Sequence, residues 1–316
     1  MVETYDLIII GCGPAGMTAS IYASRHKLNH IVFEGGVVGG QIALAAEVEN
    51  WPGVKSIKGM ELALRLEEHA KSLGMKLINS MVTDISWDEA NKLFICASDA
   101  GKYAAKALII ATGAMHRKLG IAGEDKFLGK GVSYCATCDG PFFKDKTVAV
   151  IGGGDSALTE AVYLASIAKQ VYIIHRRNEF RAQEANQEKA KNNPKIRFIM
   201  ETVVAEIKGD KLVNSVVLEN VNTKQRSELP VDGIFVCIGN VPASALVKKI
   251  GVATDERSYI KVDIGMHTNI PGVFAAGDIT GSAPQAIVAA GQGAVAAMEA
   301  YRYIKGFKAG TVVLNR

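Results

Sequence analysis

The residues of this chain best suited to chemistry are Cys135-Ala136-Thr137-Cys138, with Asp139 directly after them. Two cysteines at this spacing support either a redox disulfide or half of a zinc site. A structural zinc takes about four ligands. No second pair stands at this spacing, and the histidines at 26, 30, 69, 116, 175 and 267 are scattered without ligand spacing, so no metal is expected. A pair of inert buried thiols is the third reading. A carboxylate beside a dithiol is placed to give and take protons, which makes Cys135, Cys138 and Asp139 the candidate catalytic residues. The other cysteines read as bland. Cys96 and Cys237 lie in apolar stretches as small core residues, and Cys12 fills a variable slot in a glycine turn. Five cysteines is an odd count, and no export signal precedes them, so a disulfide framework is not expected.

Two glycine turns carry the second kind of chemistry. Gly11-Cys12-Gly13-Pro14-Ala15-Gly16 follows a strand-like run and precedes a helical pattern, and Glu34 stands 23 residues after Gly11. In that context Gly11 permits the turn, Gly13 lets backbone N–H groups approach a pyrophosphate, and Gly16 lets the helix lie close to the strand. The helix N-terminus then faces phosphate charge, and Glu34 accepts from the adenosine ribose. Gly152-Gly153-Gly154-Asp155-Ser156-Ala157 repeats the arrangement, and His175 stands 23 residues after Gly152. There the carboxylate is replaced by His175-Arg176-Arg177. Guanidinium groups bind a 2′-phosphate that a carboxylate would repel. The first turn is therefore expected to take FAD or NAD and the second NADPH. Arg181 joins the same anion clamp if the segment after Arg177 is helical.

These groups need strands and helices to hold them. Tyr5–Ile10 and Asn29–Phe33 read as strands around a helix over Met17–His26. Lys146–Ile151 and Val171–Ile174 read as strands around a helix over Leu158–Ala168. Later apolar runs, Ala107–Gly113, Gly233–Gly239 and Gly272–Asp278, each end in a small-residue turn. Equal internal spacing in two units is an internal repeat. The fold is predicted to be α/β, with two Rossmann-like dinucleotide-binding domains, the second inserted into the first. The expected boundaries are 1–114, 115–241 and 242–316, with junctions near Ala114 and Pro242. Met60–Leu73 reads as an amphipathic helix packing on its own core.

Length and composition agree. The chain has 316 residues, room for two domains. Apolar residues make up 48% and charged residues 22%, a globular balance. No apolar run is long enough for a membrane span, and the N-terminus has no basic region ahead of its apolar run. A net charge of +4 is too small to imply nucleic acid or an anionic membrane surface. A cytoplasmic protein is expected.

Assembled, these residues resemble the low-molecular-weight, bacterial-type thioredoxin reductases from about Asp6 to Tyr303. Further matching motifs are Gly39-Gly40-Gln41, Val48-Glu49-Asn50-Trp51-Pro52-Gly53, Ala111-Thr112-Gly113, Cys135-Ala136-Thr137-Cys138-Asp139-Gly140, and Ala276-Gly277-Asp278 leading to Gln285-Ala286. The resemblance implies FAD in the first domain, with contacts at Gly11, Gly13, Pro14, Ala15, Gly16, Glu34, Gly35, Gly40, Gln41, Asn50, Val82, Thr112, Gly113, Gly277, Asp278, Gln285 and Ala286. It implies NADPH in the inserted domain, at Gly153, Gly154, Asp155, Ser156, His175, Arg176, Arg177, Arg181 and Ile238. It further implies a Cys135–Cys138 disulfide, a homodimer, and thioredoxin or a thioredoxin-like protein as partner. Cys138 would be the flavin-side sulfur and Cys135 the one that attacks the partner's disulfide. The chain departs from the family at Pro284, Asn240 and Ala243, where members often carry Arg, His and Asn. Three other readings compete. The flavoprotein of a peroxide-reducing system carries an additional N-terminal portion, whereas here the first strand begins by Tyr5. A ferredoxin–NADP reductase relative lacks the Cys pair. A non-catalytic nucleotide sensor would bind nucleotide without turnover.

Overall fold

The computed structural model describes residues 2–45 and 48–307. The apolar run before the first glycine turn forms β1 (Glu3–Ile10), in which Leu7, Ile8 and Ile9 are fully buried. Apolar residues at consecutive positions are what a strand covered on both faces requires. Helix α1 (Pro14–Arg25) opens on proline, which loses no hydrogen bond in a first turn. It leads into β2 (His30–Glu34), α2 (Gly59–Ser72), β3 (Lys76–Asn79), β4 (Val82–Asp88), β5 (Leu93–Ser98) and β6 (Gly101–Ile110). The expected amphipathic helix is α2, whose Leu62 packs with Val48 and Ile57.

A short strand β7 (Ala114–His116) precedes β8 (Val132–Ser133) and the single-turn helix α3 (Ala136–Asp139). Then come β9 (Thr147–Ile151), α4 (Asp155–Ala165), β10 (Gln170–Ile174), α5 (Glu184–Lys191) and β11 (Ile196–Ile199). Three antiparallel strands follow, β12 (Thr202–Gly209), β13 (Val213–Asn220) and β14 (Arg226–Pro230), and then β15 (Gly233–Val236). Strand β16 (Asn240–Pro242) pairs with β7. The chain continues through α6 (Ala245–Lys248), β17 (Val273–Ala275) and α7 (Ala286–Lys305).

Two compact units result: Met1–Met115 with Val241–Arg316, and His116–Asn240. In the first, the sheet order is β3-β2-β1-β6-β5-β4, and β17 also pairs with β6. In the second it is β11-β10-β9-β15-β8, parallel throughout. The repeat is thus structural, with β3-β2-β1-β6 in one unit matching β11-β10-β9-β15 in the other. Hydrogen bonds coincide as well. Gly11 N–H donates to Phe33 O at 2.8 Å and Gly152 N–H to Ile174 O at 3.1 Å. Ala111 N–H donates to Ile10 O and Cys237 N–H to Ile151 O, both at 2.8 Å.

Each sheet separates two apolar cores. Leu7 and Ile9 of β1 face one, and Tyr5, Ile8 and Ile10 the other. Val148 and Val150 of β9 are split from Ala149 and Ile151 in the same way. Small residues bring α1 and α7 together: a Cβ at Gly293 would lie 2.1 Å from the Ala15 carbonyl oxygen. The antiparallel β4–β5–β6 extension and the β12–β13–β14 sheet go beyond the predicted repeat. Among the described residues no helix is long and apolar enough to cross a membrane.

Candidate functional site

The first glycine turn lies where β1 ends. Gly11 has φ of +108°, and a Cβ there would be 2.2 Å from the Ala111 carbonyl oxygen. A Cβ at Gly16 would be 1.8 Å from the Gly11 carbonyl oxygen. Only glycine allows this backbone and this approach, so the first turn of α1 sits against the strand end. No side chain caps α1, and its first-turn N–H groups have no intrahelical acceptor. Gly39 N–H donates to Cys12 O at 2.8 Å, which brings Gly40 beside Gly13, with Gln41 next in the chain.

Glu34 closes β2 and turns toward the same place. Its Oε2 accepts the Cys12 N–H at 2.8 Å and its Oε1 the Gly36 N–H at 2.7 Å. Each oxygen keeps a second lone pair, enough for the two hydroxyls of a ribose. Asp278 arrives from β17. A Cβ at the preceding Gly277 would be 3.1 Å from the Cβ of Ala15 in α1. Gln292 fixes this turn by accepting the Gly277 N–H at 2.7 Å while donating to Ser282 Oγ at 2.7 Å. The Asp278 carboxylate has no hydrogen-bond or ion-pair partner among the described residues, and burial pushes its pKa up to about 6. Thr112 donates to Ala243 O at 3.1 Å, and Asn50 Nδ2 to Gln285 Oε1 at 3.0 Å. Gln285 immediately precedes Ala286 at the start of α7, and Gly113 follows Thr112 with φ of +67°. Val82 differs: its side chain is buried with Phe33 and Ile85. Met81, just before it, fills the space beside Gly35.

In the second unit a Cβ at Gly152 would be 2.4 Å from the Cys237 carbonyl oxygen, and Ile238 follows half-buried. Helix α4 again has no side-chain cap. His175 does not join the arginines at the surface. It is 6% exposed, its ring fills the space beside Gly153 and stacks on Phe180, and Nε2 faces the Glu179 carbonyl at 3.1 Å. Burial lowers its pKa, which favours the neutral ring. Arg176, Arg177 and Arg181 are exposed, and none forms an ion pair among the described residues. The segment from Arg177 to Arg181 is not helical, so Arg181 does not reach the clamp by an i,i+4 relation. Instead the Arg181 N–H donates to the Gly153 carbonyl at 2.8 Å. Asp155 Oδ1 accepts from Gln183 N–H and Asn186 Nδ2, both at 2.8 Å, and so ties the arginine segment to the glycine turn. Ser156 is exposed beside Asp155.

Cys135 and Cys138 form a disulfide. Ser133 Oγ accepts the Cys135 N–H at 3.0 Å, and Cys135 Sγ accepts the Cys138 N–H at 3.2 Å. Burial pushes the Asp139 carboxyl above its ordinary range, against a hydrogen bond from Ser133. A carboxyl of raised pKa beside a dithiol can carry the protons of thiol–disulfide exchange. Sequence reasoning missed Glu160. Cys237, read as a core residue, donates its S–H to Glu160 Oε2 at 2.9 Å. The available signal was a carboxylate in the interior of a helix whose following residues, Ala161-Val162-Tyr163-Leu164-Ala165, carry no charge.

A disulfide of this spacing, in a unit that also holds an arginine-flanked glycine turn, defines a pyridine-nucleotide-driven disulfide oxidoreductase. The family model described as "Pyridine nucleotide-disulphide oxidoreductase" matches residues 5–293. Among similar proteins, a thioredoxin reductase of Listeria innocua is 45% identical over 308 residues, 97% of this chain and 96% of that one. One of Bacillus subtilis is 42% identical over 305 residues, 96% of each chain. A crystal structure of thioredoxin reductase from Streptococcus pyogenes superposes with TM-score 0.91 at 41% identity, covering 97% of this chain and all of that one. The chain belongs to the pyridine nucleotide-disulphide oxidoreductases and, within them, to the low-molecular-weight thioredoxin reductases.

Proposed function

We propose that this chain carries electron pairs from NADPH, through bound FAD, to its Cys135–Cys138 disulfide and on to the disulfide of thioredoxin or a thioredoxin-like protein. The observation that carries this reading is the closed Cys135–Cys138 bond in the unit that presents Arg176, Arg177 and Arg181. The enzyme is an FAD-dependent oxidoreductase.

The residues of the first unit suit FAD. The first-turn N–H groups of α1 suit a pyrophosphate, Glu34 keeps lone pairs for a ribose diol, and Asp278 is a mostly buried carboxylate with no donor among the described residues. An unpartnered buried carboxylate is costly, and a hydroxyl-bearing chain would satisfy it. Gly40, Gln41, Asn50, Thr112, Gln285 and Ala286 complete the set. In the second unit the α4 N-terminus would take the pyrophosphate of NADPH, and the three arginines its 2′-phosphate. Bound FAD supplies the conversion between hydride transfer and thiol chemistry.

Two electrons and two protons open the Cys135–Cys138 bond to a dithiol, with Asp139 handling a proton. Cys135, as thiolate, attacks the partner's disulfide. Cys138 then displaces the mixed disulfide, which restores the S–S bond and releases the partner reduced. We take the enzyme to work as a cytoplasmic homodimer.

An anaerobic absorbance titration with NADPH tests the reading. It should consume reducing equivalents for both flavin and disulfide. Cys135→Ser and Cys138→Ser should each lose the disulfide's share and all thioredoxin reduction, yet still bleach the flavin. Either single variant retaining full disulfide reductase activity refutes the scheme. So does purified protein that is colourless and stays so after incubation with free flavin.

A further inference from the structure

We propose that Glu160 is a positioning residue for the redox disulfide, tethering the first residue of α3 with the help of Cys237; the inference rests on the disulfide-reductase reading above. Three segments of the second unit meet at this carboxylate. Glu160 stands on α4, where the backbone N–H of Ala136, the residue immediately after Cys135, favours its charged form. It also accepts the S–H of Cys237, which follows β15, at 2.9 Å. Cys237 is itself fixed, because its N–H donates to Ile151 O at 2.8 Å.

The same face of α4 holds the far end of the redox turn. A Cβ at Gly140 would be 3.1 Å from Tyr163 and 3.2 Å from Leu164. Residues 160, 163 and 164 share one helix face, so α4 grips α3 at both ends. The grip matters in the reduced state. Once the S–S bond opens, the covalent closure of Cys135–Cys138 is gone, and only hydrogen bonds and packing hold the two sulfurs in reach. A carboxylate accepts two donors while presenting none; burial raises the Glu160 pKa, and its donors hold it toward the charged form, to which hydrogen bonds are the stronger kind. Burial pushes the Cys237 thiol well up, so it stays a donor. Glutamine at this position would turn its NH2 group toward one of the two donors.

The test uses the flavin-loaded enzyme. Wild-type bleaching by NADPH and thioredoxin turnover establish the parent reading first, so its failure would be visible separately. Glu160→Gln should lower kcat for thioredoxin reduction about tenfold or more, the effect of one charge-assisted hydrogen bond. It should leave the KM for NADPH and NADPH-driven ferricyanide reduction, which needs only the flavin, unchanged. Cys237→Ala should lower the same kcat severalfold, and Cys237→Ser, which keeps a donor, should restore it. An unchanged kcat in Glu160→Gln overturns the proposal, as does a rise in NADPH KM as its main effect. If Glu160→Gln fails to hold flavin, the Cys237 pair decides: Ala and Ser variants of equal activity overturn it.

Discussion

Removing the charge of Asp278 should make the flavin-free protein more stable and the flavin-loaded protein less so. Burial raises the Asp278 pKa from 3.8 to about 6. The folded form therefore holds its proton more tightly than the unfolded chain. Stability from this proton is complete below about pH 4 and is lost as pH rises through 6. The full difference is about 3 kcal/mol, from about 1.4 kcal/mol per pKa unit. About 1 kcal/mol of it has already gone at pH 4.5, where the unfolded carboxyl is mostly ionised, so about 2 kcal/mol disappears between pH 4.5 and pH 8. Asp278→Asn has the same shape and no ionisation. Urea unfolding of flavin-stripped wild type and variant at both pH values measures the difference between them. That difference should move in favour of the variant by about 2 kcal/mol on going to pH 8. Flavin retention should move oppositely, because a neutral amide is a weaker acceptor than a carboxylate for ligand hydroxyls. A wild-type-minus-variant difference that does not change with pH would refute the account of burial. Undiminished flavin affinity would refute the assignment of Asp278 to the ligand.

Arg176→Ala with Arg177→Ala should raise the KM for NADPH by about tenfold or more, the loss of at least one charge-assisted phosphate contact, while the KM for NADH stays within error. Equal effects on both nucleotides would remove these arginines from the 2′-phosphate. Gly16→Ala, with its Cβ 1.8 Å from the Gly11 oxygen, should force α1 off the strand end at a cost of roughly 1–3 kcal/mol. The purified variant should be pale, and a fully yellow protein with an unshifted melting temperature contradicts this.

Patterns set by local geometry were legible in the sequence. Equal offsets from Gly11 to Glu34 and from Gly152 to His175 anticipated two repeated βαβ units, because turn, helix and return strand have lengths that the βα geometry restricts. Contacts that join distant segments were not legible. Arg181 reaches the second glycine turn through a backbone bond to Gly153 rather than along a helix, and no i,i+4 rule encodes that. His175 occupies the expected position but points inward, since Gly153 leaves a gap that a ring fills. Glu160 and Cys237 lie 77 residues apart, and nothing in either neighbourhood announces the other. Strand β5 alternates in burial at Phe94 and Cys96 rather than forming a continuous apolar run, and β4 is buried only at Val82 and Ile85.

His116 Nδ1 lies 2.8 Å from Asn240 Oδ1, and these are the first and last residues of the second unit. A segment whose entrance and exit coincide costs its host little more than a tight turn would. It is therefore a portable cassette: a short Gly-Ser bridge in its place should leave the host's sheet continuous, and the excised piece, closed at one doorway, is suited to being grafted, exchanged or circularly permuted.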